Sequence, residues 1–354
     1  MNIFAEGDNI LASKFNENFN ILYSYIFGDG SDGDVTLSGD TTLTEDKEYN
    51  DLTIQTGVTL YTKGFRIKVN GTLTYEGTAK IASSGGAGGN GTDAADNETP
   101  GVGGSAGSSP HDNNDTLPYP ALSPGADGVY SGRDSDGTVS VNGISVTGNS
   151  YNKTIIEGAA PSGGNAGNSN LASGGSSSSG NNLTTRKEIT LLTIFNDLID
   201  NNQGSADPLY PMPSNSGGAS GGASDDDYND NGRATSGGGG GAGAHGGFIY
   251  IAARNIIINT NHIYLESKGG VGGDAGTGIG STSSSGQSSS GGSGGGAGGS
   301  GGVVMEIYIT KTGTGSANLS GGLGGSGSSG VGYSSSSGED GGDGLTGSQI
   351  EIII

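Results

Sequence analysis

Gly269-Gly270-Val271-Gly272-Gly273-Asp274 is the stretch on which the reading of this chain turns. It follows a short apolar strand. The same pattern follows two others, as Gly85-Gly86-Ala87-Gly88-Gly89-Asn90 and Gly321-Gly322-Leu323-Gly324-Gly325-Ser326. The period is three, which suits a polyproline-II-type helix with three residues per turn and no internal hydrogen bonds. Two bare glycine edges per turn let neighbouring threads approach and bond through N–H, C=O and Cα–H groups. The third position is then free to carry Ala, Val, Leu, Ser, Asn or Asp. Taken alone, such a segment also suits a flexible linker, because glycine has the most backbone entropy to lose. Three occurrences, each behind a strand, favour ordered threads.

Working outward, each run closes a longer unit. Phe65–Val69 leads through Leu73 and Ile81 to Gly85. Phe248-Ile249-Tyr250-Ile251 leads through Ile256–Ile258 and Ile263-Tyr264-Leu265 to Gly269. Val304–Ile309 leads through Leu319 to Gly321, and Gln349–Ile354 reads as the opening strand of a further copy. The unit is strand, turn, strand, then a glycine thread that leaves the sheet and returns. It cannot bury its apolar face alone, so units must stack.

Between Asp34 and Ser83 the text is a series of short alternating strands, punctuated at Gly39-Asp40, Gly57, Gly64, Asn70-Gly71 and Gly77. A second hairpin is expected in Val139–Val146. The expected fold class is mainly β: a short-rung β-solenoid or β-sandwich with polyglycine-II-like threads and an N-terminal helix. That helix is expected over 7–27, with Ile10, Leu11, Phe15, Phe19, Leu22 and Ile26 on one face, Asp8 as N-cap and Gly28 as stop. Its stripe packs on the chain's own first strands or serves attachment or oligomerisation. Four regions follow: an N-terminal helix at 1–28, a β-rich stem at 29–84, a glycine-rich body with irregular loops and a helix near 185–201 at 85–236, and strand-plus-thread repeats at 237–354.

Composition narrows the function. Of 354 residues 76 are glycine, about three times the average usage. Only 30% are hydrophobic, so stability must come from backbone hydrogen bonds and narrow apolar seams. A net charge of −22 excludes nucleic acid, whose binding rests on Lys and Arg neutralising phosphates. There is no cysteine, hence no disulfide or thiolate site, and no stretch long enough to span a bilayer. The opening residues lack the n-region and h-region of a conventional secretory signal.

In so glycine-rich a chain, GxGxxG and GxSxG matches carry no weight, and no phosphate-loop pattern is present. His111, His245 and His262 have no metal-type spacing. No cofactor is implied. The hard-oxygen candidates for Ca²⁺ are Asp225, Asp226 and Asp227, and Asp274 in its partial match to a calcium β-roll repeat. Solvated acidic loops are the alternative reading. Tyr119, Tyr130, Tyr151, Tyr210, Tyr228 and Tyr333 sit among Pro, Gly, Asn, Asp and Ser. A tyrosine on a rigid loop offers a flat apolar face and a polar tip, which suits sugar or protein-loop recognition. Packing of those loops is the alternative.

The segment Gly7-Asp8-Asn9-Ile10-Leu11-Ala12-Ser13-Lys14-Phe15-Asn16-Glu17-Asn18-Phe19 resembles the N-terminal attachment segments of tailed-phage fibre and appendage proteins. Gly33–Gly39 through Gly64–Leu73 resembles the β-rich block of phage fibres. The glycine threads are similar in kind to those of T-even-type tail-fibre adhesins, where polyglycine-II helices form a sandwich that displays host-recognition loops. The Ser-rich runs Ser176–Ser179 and Ser334–Ser337, and the helix, depart from that pattern. The resemblance implies a virion appendage protein: a fibre, spike or adhesin on the particle surface, released by lysis and homotrimeric. Its partners would be other virion proteins and a host surface glycan or protein. The alternatives are a decoration protein with no receptor, and a polysaccharide depolymerase.

Overall fold

The computed structural model describes residues 20, 21, 23–96, 98–111, 124–131, 139–147, 162–169, 172–178, 218, 223–225, 233–280, 288–332 and 334–354. The expected helix near 185–201 lies outside them, as do residues 1–19 and Leu22.

The first strands are β1 (Val35–Leu37), β2 (Thr41–Thr42), β3 (Lys47–Tyr49), β4 (Leu52–Ile54), β5 (Thr59–Tyr61), β6 (Ile67–Tyr75) and β7 (Lys80–Ala82). The middle of the chain supplies β8 (Tyr130–Ser131), β9 (Val139–Val141), β10 (Val146–Thr147), β11 (Ser177–Ser178), β12 (Ala223–Asp225) and β13 (Ala234–Thr235). The last third holds β14 (Phe248–Ile258), β15 (Ile263–Glu266), β16 (Ser288–Ser290), β17 (Val303–Thr312), β18 (Ser316–Asn318), β19 (Val331–Gly332) and β20 (Ser348–Ile353).

The molecule is mainly β and its two principal sheets are parallel. One runs β1-β4-β6-β14-β17-β20, with β3 also on β6. The other runs β2-β5-β7-β15-β18. Parallel register stacks like positions of neighbouring strands. Val69, Ala253 and Tyr308 form one column, and Leu52, Leu73 and Ile256 another. These side chains meet those of the second sheet, including Leu60, Ile81 and Leu265, in one buried seam. The seam is narrow, as the low apolar content requires.

Three strands of the second sheet, β7, β15 and β18, run on into a glycine thread. Threads 85–94, 267–277 and 319–328 leave the sheets, and threads 236–247, 291–302 and 336–347 return to them. The backbone bonds repeat every third residue. Gly85, Gly88 and Gly91 donate to Lys268, Val271 and Asp274, and Gly269, Gly272 and Ala275 to Ser320, Leu323 and Ser326, at 2.8–2.9 Å. Gly240, Gly243 and Gly246 donate to Gly294, Ala297 and Ser300 in the returning layer. Antiparallel bonds join the layers, as from Gly270, Gly273 and Gly276 to Ala244, Gly241 and Gly238. Thread 236–247 exchanges bonds with 83–92, 101–107, 126–129, Gly218, 270–276 and 294–300, so it is surrounded on all sides. Three residues per turn point successive N–H groups in three directions, which is how one thread satisfies several neighbours. Glycine is required by space. A Cβ on Gly241 would overlap the carbonyl oxygen of Ser105, and one on Gly296 that of Gly241.

The third position carries exposed Ala87, Val271 and Leu323 as the sequence allows, and where it carries Asn or Asp the side chain serves a neighbouring thread. Asn90 Oδ1 accepts the Asp274 N–H (3.0 Å), and Asp274 Oδ1 in turn accepts the Ser326 N–H (2.8 Å). Asp343 and Asp340 accept the N–H groups of Gly324 and Gly327, both at 2.8 Å. Asp127 does the same for Gly103. A peptide N–H facing outward without a partner is costly when dehydrated, and a short side-chain oxygen one thread away reaches it.

Residues 20, 21 and 23–27 are helical and end at Gly28, whose φ of +81° and N–H bond to Ser24 form a left-handed cap. Phe27 is fully buried against Phe248, Tyr250, Met305 and Ile307 on the outer face of the first sheet. Burying such a ring contributes about 1.5–3 kcal/mol. The β6–β14 register shifts between Ala253 and Asn255, and Arg254 in that shift lies 5.1 Å from the Tyr23 ring centre. The expected hairpin in Val139–Val146 does not form. β9 pairs antiparallel with β12, while β10 pairs parallel with β11, because Gly143 and Asn142 bond to Ser173 instead.

Candidate functional site

Two places concentrate side chains with chemical potential. The first is the end of the thread bundle farthest from the two parallel sheets. Here β9, β12, β16 and β19 form a small antiparallel sheet, with the β8–β13 pair beside it. The described residues Ser131 and Val139, Asp225 and Arg233, and Gly280 and Ser288, which flank segments outside the described residues, lie on this end. Tyr130 lies in β8, half-buried and paired with Thr235. Asp225 closes β12, opposite Ser288 and Val139. Tyr119, Tyr151, Tyr210, Tyr228, Tyr333, Asp226 and Asp227 lie outside the described residues.

Asp274 is exposed midway along an outer thread, with its carboxylate on the Ser326 N–H. Among the described residues no group of three or more His, Asp or Glu is arranged to hold a metal. Of the helical stripe, Ile26 is described and packs on the outer-face cluster, whereas Ile10, Leu11, Phe15, Phe19 and Leu22 lie outside the described residues. No described helix is long and apolar enough to cross a membrane.

The histidines serve the backbone. His245 is fully buried where the threads meet the sheets, and its Nδ1 accepts the Ser300 N–H at 2.8 Å. Burial pulls its pKa down to about 3. Nearby, His111 Nε2 accepts the Phe248 N–H at 2.9 Å. His262 has one ring nitrogen 2.6 Å from the Thr260 carbonyl oxygen and the other 2.7 Å from that of Ala79.

The second place is a polar cluster inside the seam at its C-terminal end. The column that holds Ile67 on β6 and Ile251 on β14 continues as Glu306 on β17 and Glu351 on β20. Glu306 is fully buried. Its Oε2 accepts from Tyr264 OH (2.9 Å), Lys311 Nζ (2.9 Å) and Gln349 Nε2 (2.8 Å), while its Oε1 has no partner. Lys311 Nζ also donates to Glu351 Oε1 and to Tyr264 OH, both at 2.6 Å, between the rings of Tyr264 and Tyr308. Burial pushes the Glu306 carboxyl up, and the charge and hydrogen bond of Lys311 offset this only in part. Burial pulls Lys311 down, but the charge of Glu306 and the bonds to Glu351, Tyr264 and Glu306 outweigh it and hold the ammonium. The sequence carried one signal for this cluster, a lone Glu at an inward position of an otherwise apolar strand.

No family model, curated protein or solved structure matches this chain. Its function therefore has to be argued from its own geometry.

Proposed function

We propose that the chain is a non-enzymatic virion appendage protein, a fibre, spike or adhesin that recognises a host surface glycan or protein. In this reading the stacked rungs are a β-solenoid, the threads are its polyglycine-II-like continuation, and the N-terminal segment attaches it to the particle. One observation carries the reading. The helix lies on the sheets at one end, whereas the strand ends at Ser131, Val139, Asp225 and Ser288 lie at the opposite end. A thread bundle between the two ends would hold a recognition surface away from the attachment point. The −22 charge suits a solvent-facing particle surface.

The test is binding of the purified chain to host cells and to a panel of surface glycans. A second variant carries Gly/Ser replacements of equal length in the three segments 132–138, 226–232 and 281–287. Binding that disappears in the variant, at unchanged melting temperature, supports recognition. Equal binding by both chains would place recognition outside the three segments, and binding by neither removes the receptor role and leaves a decoration protein. Shortening of a polysaccharide by the intact chain would make it a depolymerase.

A further inference from the structure

We propose that Lys311 and Glu351 become joined by an intramolecular isopeptide bond, with Glu306 moving the proton. The three groups stand on two adjacent parallel strands, β17 and β20, and close one end of the apolar seam. Lys311 Nζ lies 2.6 Å from Glu351 Oε1 and 2.9 Å from Glu306 Oε2. The two carboxylates differ in what holds them. Glu306 is anchored by Tyr264 and Gln349, has no exposed surface, and keeps a second oxygen without a partner. Glu351 is a cross-strand neighbour of Glu306 and takes its strongest contact from the lysine.

The reaction balances without a co-reactant. The Lys311 ammonium passes one proton to Glu306, and the freed amine attacks Cδ of Glu351. Glu306 returns the proton to the departing oxygen, aided by a second proton from the attacking nitrogen, and water leaves. An ammonium and a carboxylate are thus consumed, and an amide and water are formed. Glu306 ends as it began, so it is the general acid and base of the step. Amide formation from free groups in water is unfavourable. Groups fixed in contact react with effective molarities of about 10⁵–10⁸ M, because the fold has already met the entropy cost of bringing them together. The rings of Tyr264 and Tyr308, 5.0 and 5.4 Å from Nζ, hold the lysine in place, while the Glu351 side chain stays open to solvent for the departing water. The bond would tie the edge strand of the first sheet to its neighbour, where peeling would otherwise begin.

The intact mass of the folded full-length chain tests this directly. The expected result is a mass lower than the sequence by about 18 Da, the water lost in acyl transfer. Lys311 is the only Lys or Arg beyond residue 268, so trypsin adds a second readout. With the bond present, the denatured chain leaves 269–354 as one uncut fragment, and fragmentation places the link between 311 and 351. Glu306→Gln and Lys311→Arg, if folded, should show the full sequence mass, and cleavage after residue 311 should return in Glu306→Gln. A folded wild-type chain at full mass, cut after Lys311, overturns the proposal whatever the variants do. So does a lost water mapped to an Asp-Gly pair, or a link from Lys311 to Gln349 instead.

Discussion

Asp93 Oδ1 accepts both the backbone N–H and the hydroxyl of Thr277, each at 2.7 Å, across 184 residues of chain. The pair shows how the outer threads are finished. An outward N–H that the lattice cannot serve is served by the acidic side chain one thread away. Asp93→Ala should therefore lower stability by about 0.5–1.5 kcal/mol, at the small end because the site is exposed. Denaturant unfolding measures it. The bonds from Thr277 hold the Asp93 carboxyl below its usual range. Its contribution is present above the unfolded carboxylate pKa and is lost as pH falls through the lower folded value. Asp93→Asn keeps an acceptor and should flatten that part of the acid limb.

Inside the lattice the requirement is space. Gly241→Ala drives a methyl group into the Ser105 carbonyl. Backbone packed on all sides cannot move aside cheaply, so a loss of about 1–3 kcal/mol or more is expected. Ala87 is the control, since it occupies an exposed third position on an outer thread. Ala87→Ser should change stability by less than about 0.5 kcal/mol. Equal losses from both changes in thermal unfolding would refute the space argument.

What could be read beforehand follows from range. Strands such as Phe248–Ile258 and Val303–Thr312 carry their own β-branched and aromatic signal, and Gly28 as the helix stop is a local matter of φ. Pairings are not local. Nothing near Asp274 announces that its carboxylate serves Ser326. The Val139–Val146 stretch has the text of a hairpin, yet Gly143 finds its partner at Ser173. Of the candidate tyrosines, Tyr130 is described and the others lie outside the described residues. The inward carboxylate of Glu306 is legible in sequence, because alternation along Val304–Tyr308 places it with Val304 and Tyr308 on the seam side.

The helix is held to the first sheet through Phe27. Phe27 fills a site on the first sheet built by Phe248, Tyr250, Met305 and Ile307, and Phe→Ala at such positions costs about 3–5 kcal/mol. The helix contributes no strand, so Phe27→Ala should release it locally and leave the sheets intact. Hydrogen exchange should show faster exchange for 20–28 with protection unchanged in β14 and β17. Loss of protection throughout would mean that the helix is integral to the body.

The junction between threads and sheets should be the acid-sensitive part of the molecule. A thread offers its N–H groups in three directions and a strand in two, so a peptide group at the change of geometry is left without its regular partner. For Ser300 the partner is His245 Nδ1, which accepts only while that nitrogen carries no proton. Burial holds the folded pKa at about 3, against 6.5 for the ordinary imidazole. A depressed folded value means that the unfolded chain binds the proton more tightly. The contribution of His245 is therefore complete above pH 6.5 and falls away steadily as pH drops toward 3. The expected observation is a melting temperature that declines below pH 6.5, before the carboxylates titrate. His245→Gln offers a carbonyl oxygen to Ser300 without titrating. It should melt lower than the wild type at pH 7, because the amide fits the site less well, and should show a flatter profile between pH 6.5 and 4.5. A wild-type profile already flat over that interval would show that Ser300 does not depend on the neutral imidazole.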